Sequence, residues 1–182
     1  MSKIKTALLK PFAQGTHSQA GWAIAETMIA IVIGLIVLAG VFGLVNNTLQ
    51  GNKLQGAQQN LTAIRLGVQQ IFSGQPDYVG LNNTVASNAG VFPSIMVKSG
   101  GIKHGWNGDV TLAVDPSTST QFTITMSNLP KEAAMKMAIY GAGSWTQVDL
   151  NGTTIPQDGG GVVAASGAVV DGASNQVVFK SI

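Results

Sequence analysis

Gly21-Trp22-Ala23-Ile24-Ala25-Glu26, with the apolar run 28–45 behind it, decides how this chain is read. Three lysines (Lys3, Lys5 and Lys10) and no acid precede it, and Glu26 is the one acid beside the run. Residues 28–45 hold no charged or strongly polar side chain over 18 positions. A helix needs roughly 17–25 apolar residues to cross ~30 Å of hydrocarbon. The run is long enough, and 22–45 reads as a membrane span. Lysines ahead of such a span hold the first residues on the cytoplasmic side.

Three readings of the span compete. A secretory signal peptide has a shorter apolar core followed by a small-residue cleavage site; here the run is too long, and no such site follows Val45. A plain single-pass anchor fits the length and would make this an anchored binding protein that keeps Met1. The third reading puts a cut between Gly21 and Trp22, ahead of the run, so that the helix stays on the mature protein. Glu26 favours the third. A charged residue within a bilayer helix costs ~2.5–3.5 kcal/mol on insertion scales and usually has a partner or a task. A cut after Gly21 exposes a new α-amine on Trp22, one helical turn from Glu26. Pairing the two in a low-dielectric filament core would offset much of the desolvation. Snorkelling of Glu26 to the headgroups is the simpler alternative.

Only 10% of the 182 residues are charged, and the apolar excess is concentrated in one segment, which argues for a membrane-facing portion rather than a uniformly greasy globule. Without residues 1–21, seven Lys and Arg face all eight acids, a net charge of −1 with no basic cluster. No nucleic-acid surface is indicated. Cysteine is absent from the sequence, which removes disulfides, thiolate metal sites and thiol nucleophiles together. His17 lies in the leader, and His104 has no acid or Cys at metal-ligand spacing, so it reads as a surface loop residue and no metal or cofactor is expected. No serine stands in a G-x-S-x-G context, and Gly159-Gly160-Gly161 lacks the Lys-Ser/Thr of a phosphate loop. The chain is expected not to be an enzyme.

Beyond the run, Leu54, Ala57, Leu61, Ile64, Val68 and Ile71 recur at spacings of three and four, the stripe of an amphipathic helix that lays one face on a sheet. Ser73-Gly74-Gln75-Pro76 ends it. The whole element, 22–73, is about 50 residues, or ~75 Å at 1.5 Å per residue, and is expected to protrude from a small head, 74–182. Gly34, Gly40 and Gly43 interrupt its apolar half. Close helix packing through Ala39-x-x-x-Gly43 is one account of them, local melting during assembly is a second, and the ordinary frequency of Gly in membrane helices is the plain one.

In the head, a short helix is expected around 87–90 and 93–97. Strands are expected at 110–114 and 121–126, flanking the turn Asp115-Pro116-Ser117-Thr118. Pro130 opens a helix over 131–140, and a strand at 145–150 ends in the turn dipeptide Asn151-Gly152. Gly159-Gly160-Gly161 reads as a flexible loop, 162–170 is ambiguous, and 176–180 is a final strand. Trp106 and Trp145 read as core residues. The fold class is α+β, a long N-terminal helix packed on an antiparallel sheet.

Gly21, the aromatic Trp22, Glu26 and the apolar helix resemble the type IV prepilin cleavage and assembly motif. The 21-residue leader and a first mature residue other than Phe are similar to the type IVb branch. Three head segments are also similar, in order, to thin-pilus pilins of conjugative plasmids and toxin-coregulated pilins. These are Gly105-Trp106-Asn107-Gly108-Asp109-Val110-Thr111, Gln121-Phe122-Thr123-Ile124-Thr125 and Leu129-Pro130-Lys131-Glu132-Ala133-Ala134. Those pilins usually have a Cys where this chain has Ala134, and a partner Cys near Asp171-Gly172-Ala173. The disulfide is therefore missing as a pair, and the relatives' C-terminal loop geometry is not expected to carry over.

The resemblance implies a pilin fold and a major subunit of a type IVb pilus. A prepilin peptidase would cut an inner-membrane precursor between Gly21 and Trp22, with Trp22 the candidate for N-methylation. Inner-membrane assembly machinery would then draw it from the bacterial membrane into an extracellular homopolymer. Met28, Ile31, Leu35, Leu38 and Phe42 would form the filament core, and Glu26 would act in assembly. The filament would serve adhesion or cell–cell contact, with a recipient-cell surface as partner in conjugation. A minor pilin or a secretion-system pseudopilin is the alternative within the class.

Overall fold

The computed structural model describes residues 18–182, with side chains at 25–41, 49–141 and 143–182. The chain divides into two units, Met1–Asn46 and Asn47–Ile182. One helix, α1 (Ser18–Ile71), contributes to both. It begins ahead of Trp22, so Gly21 does not set the helix start. Its end follows the expected chemistry. Phe72 N–H still donates to Val68 O at 3.1 Å and Ser73 N–H to Gln70 O at 3.3 Å, and Gly74 then turns at φ 90°, a left-handed conformation that glycine adopts without a Cβ penalty.

The second unit is built on a five-stranded antiparallel sheet in the order β3-β4-β7-β5-β6. β3 (Val110–Asp115) and β4 (Thr118–Leu129) form the expected hairpin around Pro116-Ser117. β7 (Asn175–Ser181), the last strand in the chain, inserts between β4 and β5 (Gln147–Leu150) and so becomes the middle of the sheet. β5 turns into β6 (Thr153–Thr154) through Asn151 and Gly152 at φ 51° and 83°, the paired positive φ of a tight hairpin. A separate two-stranded ribbon joins β1 (Val97–Lys98) and β2 (Gly101–Ile102), just after a 3₁₀ turn at Ser94–Met96.

The expected α1 stripe lies in the core. Ala57, Leu61, Ile64 and Val68 are buried together with Leu112, Phe122, Ile124 and Phe179 of the sheet, and Leu54 is half-buried at the start of the stripe. Ile71 departs from it at 37% exposed, because the helix ends there. Trp145 is buried, with the Arg65 guanidinium 4.9 Å from its ring centroid and donating to Ser144 O. On the sheet, α3 (Lys131–Ala142) follows Pro130 as expected and buries Ala134, Met137 and Ala138.

Two expectations are corrected. The short helix α2 (Asn83–Asn88) lies earlier than 87–90, because the Asn82 side chain caps it by accepting from Val85 N–H at 3.0 Å and Gly90 turns away at φ 71°. The Gly159-Gly160-Gly161 stretch is not loop throughout. Gly161 starts α4 (Gly161–Ala168), where a Cβ would come within 2.7 Å of Pro156 O.

The loop between α4 and β7 is held without a disulfide. Ala134 is fully buried, and beside it Lys131 N–H donates to Gly172 O at 3.1 Å while Lys131 Nζ pairs with Asp171 at 2.6 Å. Asn175 is fully buried. Its amide donates to Leu129 O (3.1 Å) and Val170 O (3.0 Å), and its carbonyl accepts from Val170 N–H (2.8 Å) and Asn151 Nδ2 (2.9 Å). Asn151 in turn donates to Ala168 O at 2.9 Å and accepts from Gln176 N–H at 2.8 Å.

Candidate assembly surface

Within the first unit, every described side chain from 25 to 41 is exposed. Met28, Ile31, Leu35 and Leu38 are 64, 62, 61 and 54% exposed. Ile29, Val32, Ile33, Ile36, Val37 and Val41 are also large, apolar and exposed, so the apolar surface is not confined to one face of the helix. A helix that is hydrophobic all round belongs in a membrane or in a core. Burying each such side chain is worth ~1.5–3 kcal/mol, so ten of them left bare in water would be strongly driven towards cover. At Gly34 and Gly40 a Cβ would meet nothing within 4 Å.

Glu26 is exposed near the start of this surface. The side chains of Trp22 and Phe42 lie outside the described residues, as does most of the leader, although Gly21 and Trp22 fall within α1. Among the described residues, no helix is long and apolar enough to cross a membrane. The run 28–45 continues past Val41 into positions whose side chains are not described.

The second unit carries a groove of about 480 Å³. One wall is α1, at Leu49, Lys53 and Asn60; the other comes from Ile95, Lys98 and the loop Lys103 to Asn107. Its ingredients come from stretches about 50 residues apart in sequence, which is why no local pattern announces it. Trp106 is half-buried beside it, and its indole Nε1–H donates to Gln50 Oε1 at 2.7 Å.

His104 is not the surface residue expected from the sequence. It is 5% exposed, with Nε2 2.8 Å from Ser127 O and Nδ1 3.2 Å from Trp106 N. The backbone explains this. The β4–β7 register slips between Met126 and Leu129, with Asn128 at φ 59°, and Ser127 O meets His104. Gly108 makes room for the ring, since a Cβ there would stand 2.0 Å from Ser127 O and 2.4 Å from His104 Nε2. Burial pushes the imidazole below its ordinary value, against the opposing pull of Ser127 O and Asp109; Lys103 adds to the lowering. No group of three or more metal-ligating side chains occurs among the described residues.

The PilS N-terminal family matches residues 52–182, well over half of the chain, and the chain belongs to that family. No curated protein matches it in sequence. Among solved structures it is similar to the type IVb pilin from Salmonella typhi, at TM-score 0.57 and 19% identity, over 71% of this chain and 97% of that one. It is also similar to TcpA, a type IV pilin from the El Tor biotype of Vibrio cholerae, at TM-score 0.54 and 11% identity, over 72% of this chain and 99% of that one. The fold, helix on antiparallel sheet, is that of the type IVb pilins.

Proposed function

We propose that this pilin is the major subunit of a thin type IVb pilus. The observation that carries the reading is the exposed helix surface from Met28 to Val41, apolar on all sides in a chain with a pilin head. Such a surface trades one apolar surrounding for another at small hydrophobic cost, since lipid tails and the same segment of other copies are equally apolar. The precursor sits in the inner membrane through 22–45, with Lys3, Lys5 and Lys10 on the cytoplasmic side. A prepilin peptidase cuts between Gly21 and Trp22, and Trp22 is the residue open to N-methylation. Assembly machinery then stacks Met28, Ile31, Leu35, Leu38 and Phe42 into the core of an extracellular homopolymer, with Glu26 facing the new α-amine of its own or a neighbouring copy. The filament makes cell–cell contacts, and the likeness of the head segments to conjugative thin-pilus pilins points to mating cells as the setting.

Intact mass of subunits from sheared extracellular filaments tests this. A chain that begins at Trp22, unmodified or carrying one added methyl group, is expected as the dominant species. A dominant chain that keeps residues 1–21, or cells that yield no filament, would overturn the reading.

A further inference from the structure

We propose that the loop 103–109 is an acid-released latch on the head, held shut by neutral His104. Each ring nitrogen has one backbone partner, and the two demand opposite roles. Facing a carbonyl, Ser127 O, Nε2 must carry the proton; facing the Trp106 N–H, Nδ1 must accept. One neutral tautomer satisfies both. A second proton on Nδ1 would set two donors against each other and place a charge inside a site that is 95% shielded.

Apart from the ring, the loop is tied at its two ends by Lys103 N–H to Met96 O at 2.8 Å and Ser127 N–H to Asp109 O at 2.9 Å, and at its tip by Trp106 Nε1–H to Gln50 Oε1. What the ring releases is the backbone between those ends. Within the loop, His104 N–H donates to Gly108 O at 3.0 Å and Asn107 N–H to His104 O at 2.8 Å. The charged groups around the ring come from three elements. Lys103 and Asp109 flank it in sequence and pair at 2.6 Å. From α1, Lys53 packs its stem 3.6 Å from where a Gly105 Cβ would stand, and Lys98 of β1 lines the same groove. β4 presents only the Ser127 carbonyl among the ring's polar contacts. Of these charges Asp109 favours an imidazolium and Lys103 opposes it, so it is burial that disfavours the charged ring. Burial lowers the ring's affinity for a proton in the folded head. The latch is therefore at full strength above the ordinary imidazole value of ~6.5 and weakens as pH falls below it, until the folded ring itself titrates. Its release would open one wall of the α1 groove and free Trp106 from its backbone tether.

The test uses the full chain in detergent micelles, with His17→Gln so that one imidazole remains. The ring ¹⁵N shifts of His104 and the protection factors of the Trp106 and Asn107 amides are followed from pH 7 to 4.5. Loss of at least tenfold in protection is expected, setting in as pH falls below about 6.5 and levelling off where the ring itself protonates. A ring that protonates without loss of protection, or protection that stays constant from pH 7 to 4.5, overturns the proposal. His104→Gln supplies a second arm, because its amide can donate to Ser127 O and accept from Trp106 N–H without titrating. If that variant is latched at pH 7, its protection should stay constant to pH 4.5, and an acid loss equal to the parent's would also count against the latch.

Discussion

Lys180 Nζ lies 3.3 Å from Asp115 Oδ2, joining the middle strand β7 to the end of β3, two places away in the sheet. The two ends of this ion pair differ in burial: the Asp115 side chain is 1% exposed and that of Lys180 20%. Burial alone would raise the Asp115 carboxyl. The Ser117 N–H at 2.7 Å and the Lys180 ammonium outweigh it and hold the group below its usual range.

Removing the lysine should therefore hurt more than removing the acid. Lys180→Met strands a buried carboxylate and is expected to cost about 3–5 kcal/mol. Asp115→Asn leaves a lysine that can turn to solvent and should cost about 1–2 kcal/mol, near one lost charged hydrogen bond. For a depressed carboxyl the stabilisation is present above its unfolded value of about 4 and is lost as pH falls through the folded one. Urea unfolding of the full chain in detergent at pH 7 and pH 3 should show the difference between parent and Lys180→Met shrinking in acid. A larger loss for Asp115→Asn than for Lys180→Met would refute the asymmetry.

Asn175 should matter far more than the salt bridge beside it. Lys131 and Asp171 are 54 and 91% exposed at the side chain, and pairs of that kind are worth 0 to ~1 kcal/mol. Asn175→Leu keeps the volume but leaves the carbonyls of Leu129 and Val170 and the N–H of Val170 without their partner. A loss of about 3 kcal/mol is expected, on the scale of one to three such groups, against less than 1 for Lys131→Ala. Equal losses in thermal or urea unfolding would show that the hub is not what holds this loop.

Gly141→Ala pits helix propensity against packing. Alanine gains up to ~1 kcal/mol in a helix interior. At Gly141, however, the new Cβ would stand 2.5 Å from Phe179 Cε1 and 3.0 Å from Val148 Cγ2, and overpacking costs ~1–3 kcal/mol. The net expectation is destabilisation by about 1–2 kcal/mol. Gly143→Ala, with nothing within 4 Å, is the control, and a stabilised Gly141→Ala would mean that α3 shifts freely on the sheet.

Glu26→Ala should separate processing from polymerisation. The side chain is exposed in the isolated chain, so its loss should leave cleavage after Gly21 largely intact and cut filament yield at least tenfold. Immunoblots of cell-bound and sheared fractions measure both. Normal filament yield would remove the pairing of Glu26 with the α-amine of Trp22.

Where a reading depended on local pattern, the residues announced the structure. Leu61, Ile64 and Val68 repeat at three and four, and they are the buried face of α1. Asn151-Gly152 marks a tight hairpin, and Pro130 stands immediately before α3. Non-local geometry was not readable. Nothing in 175–181 says that the last strand sits in the middle of the sheet, because strand order is set by packing between distant segments. Val162 and Val163 disfavour a helix, yet Ala165 buries against the core and α4 forms. His104 looked like a solvent-facing imidazole because its pocket depends on a register slip some 20 residues further on. Of the expected assembly residues, the apolar character of Met28, Ile31, Leu35 and Leu38 was plain from composition. The groove beside Lys53 was not, since its two walls are far apart in the chain.

Ala134 and the Asn175 hub also set where this head can mature. A chain without cysteine, whose closing loop hangs on amide hydrogen bonds, has no thiols to oxidise, so this head needs no oxidoreductase to fold and no protection from reductants afterwards. The same shell should form at any redox poise, and dithiothreitol should leave its unfolding curve unchanged.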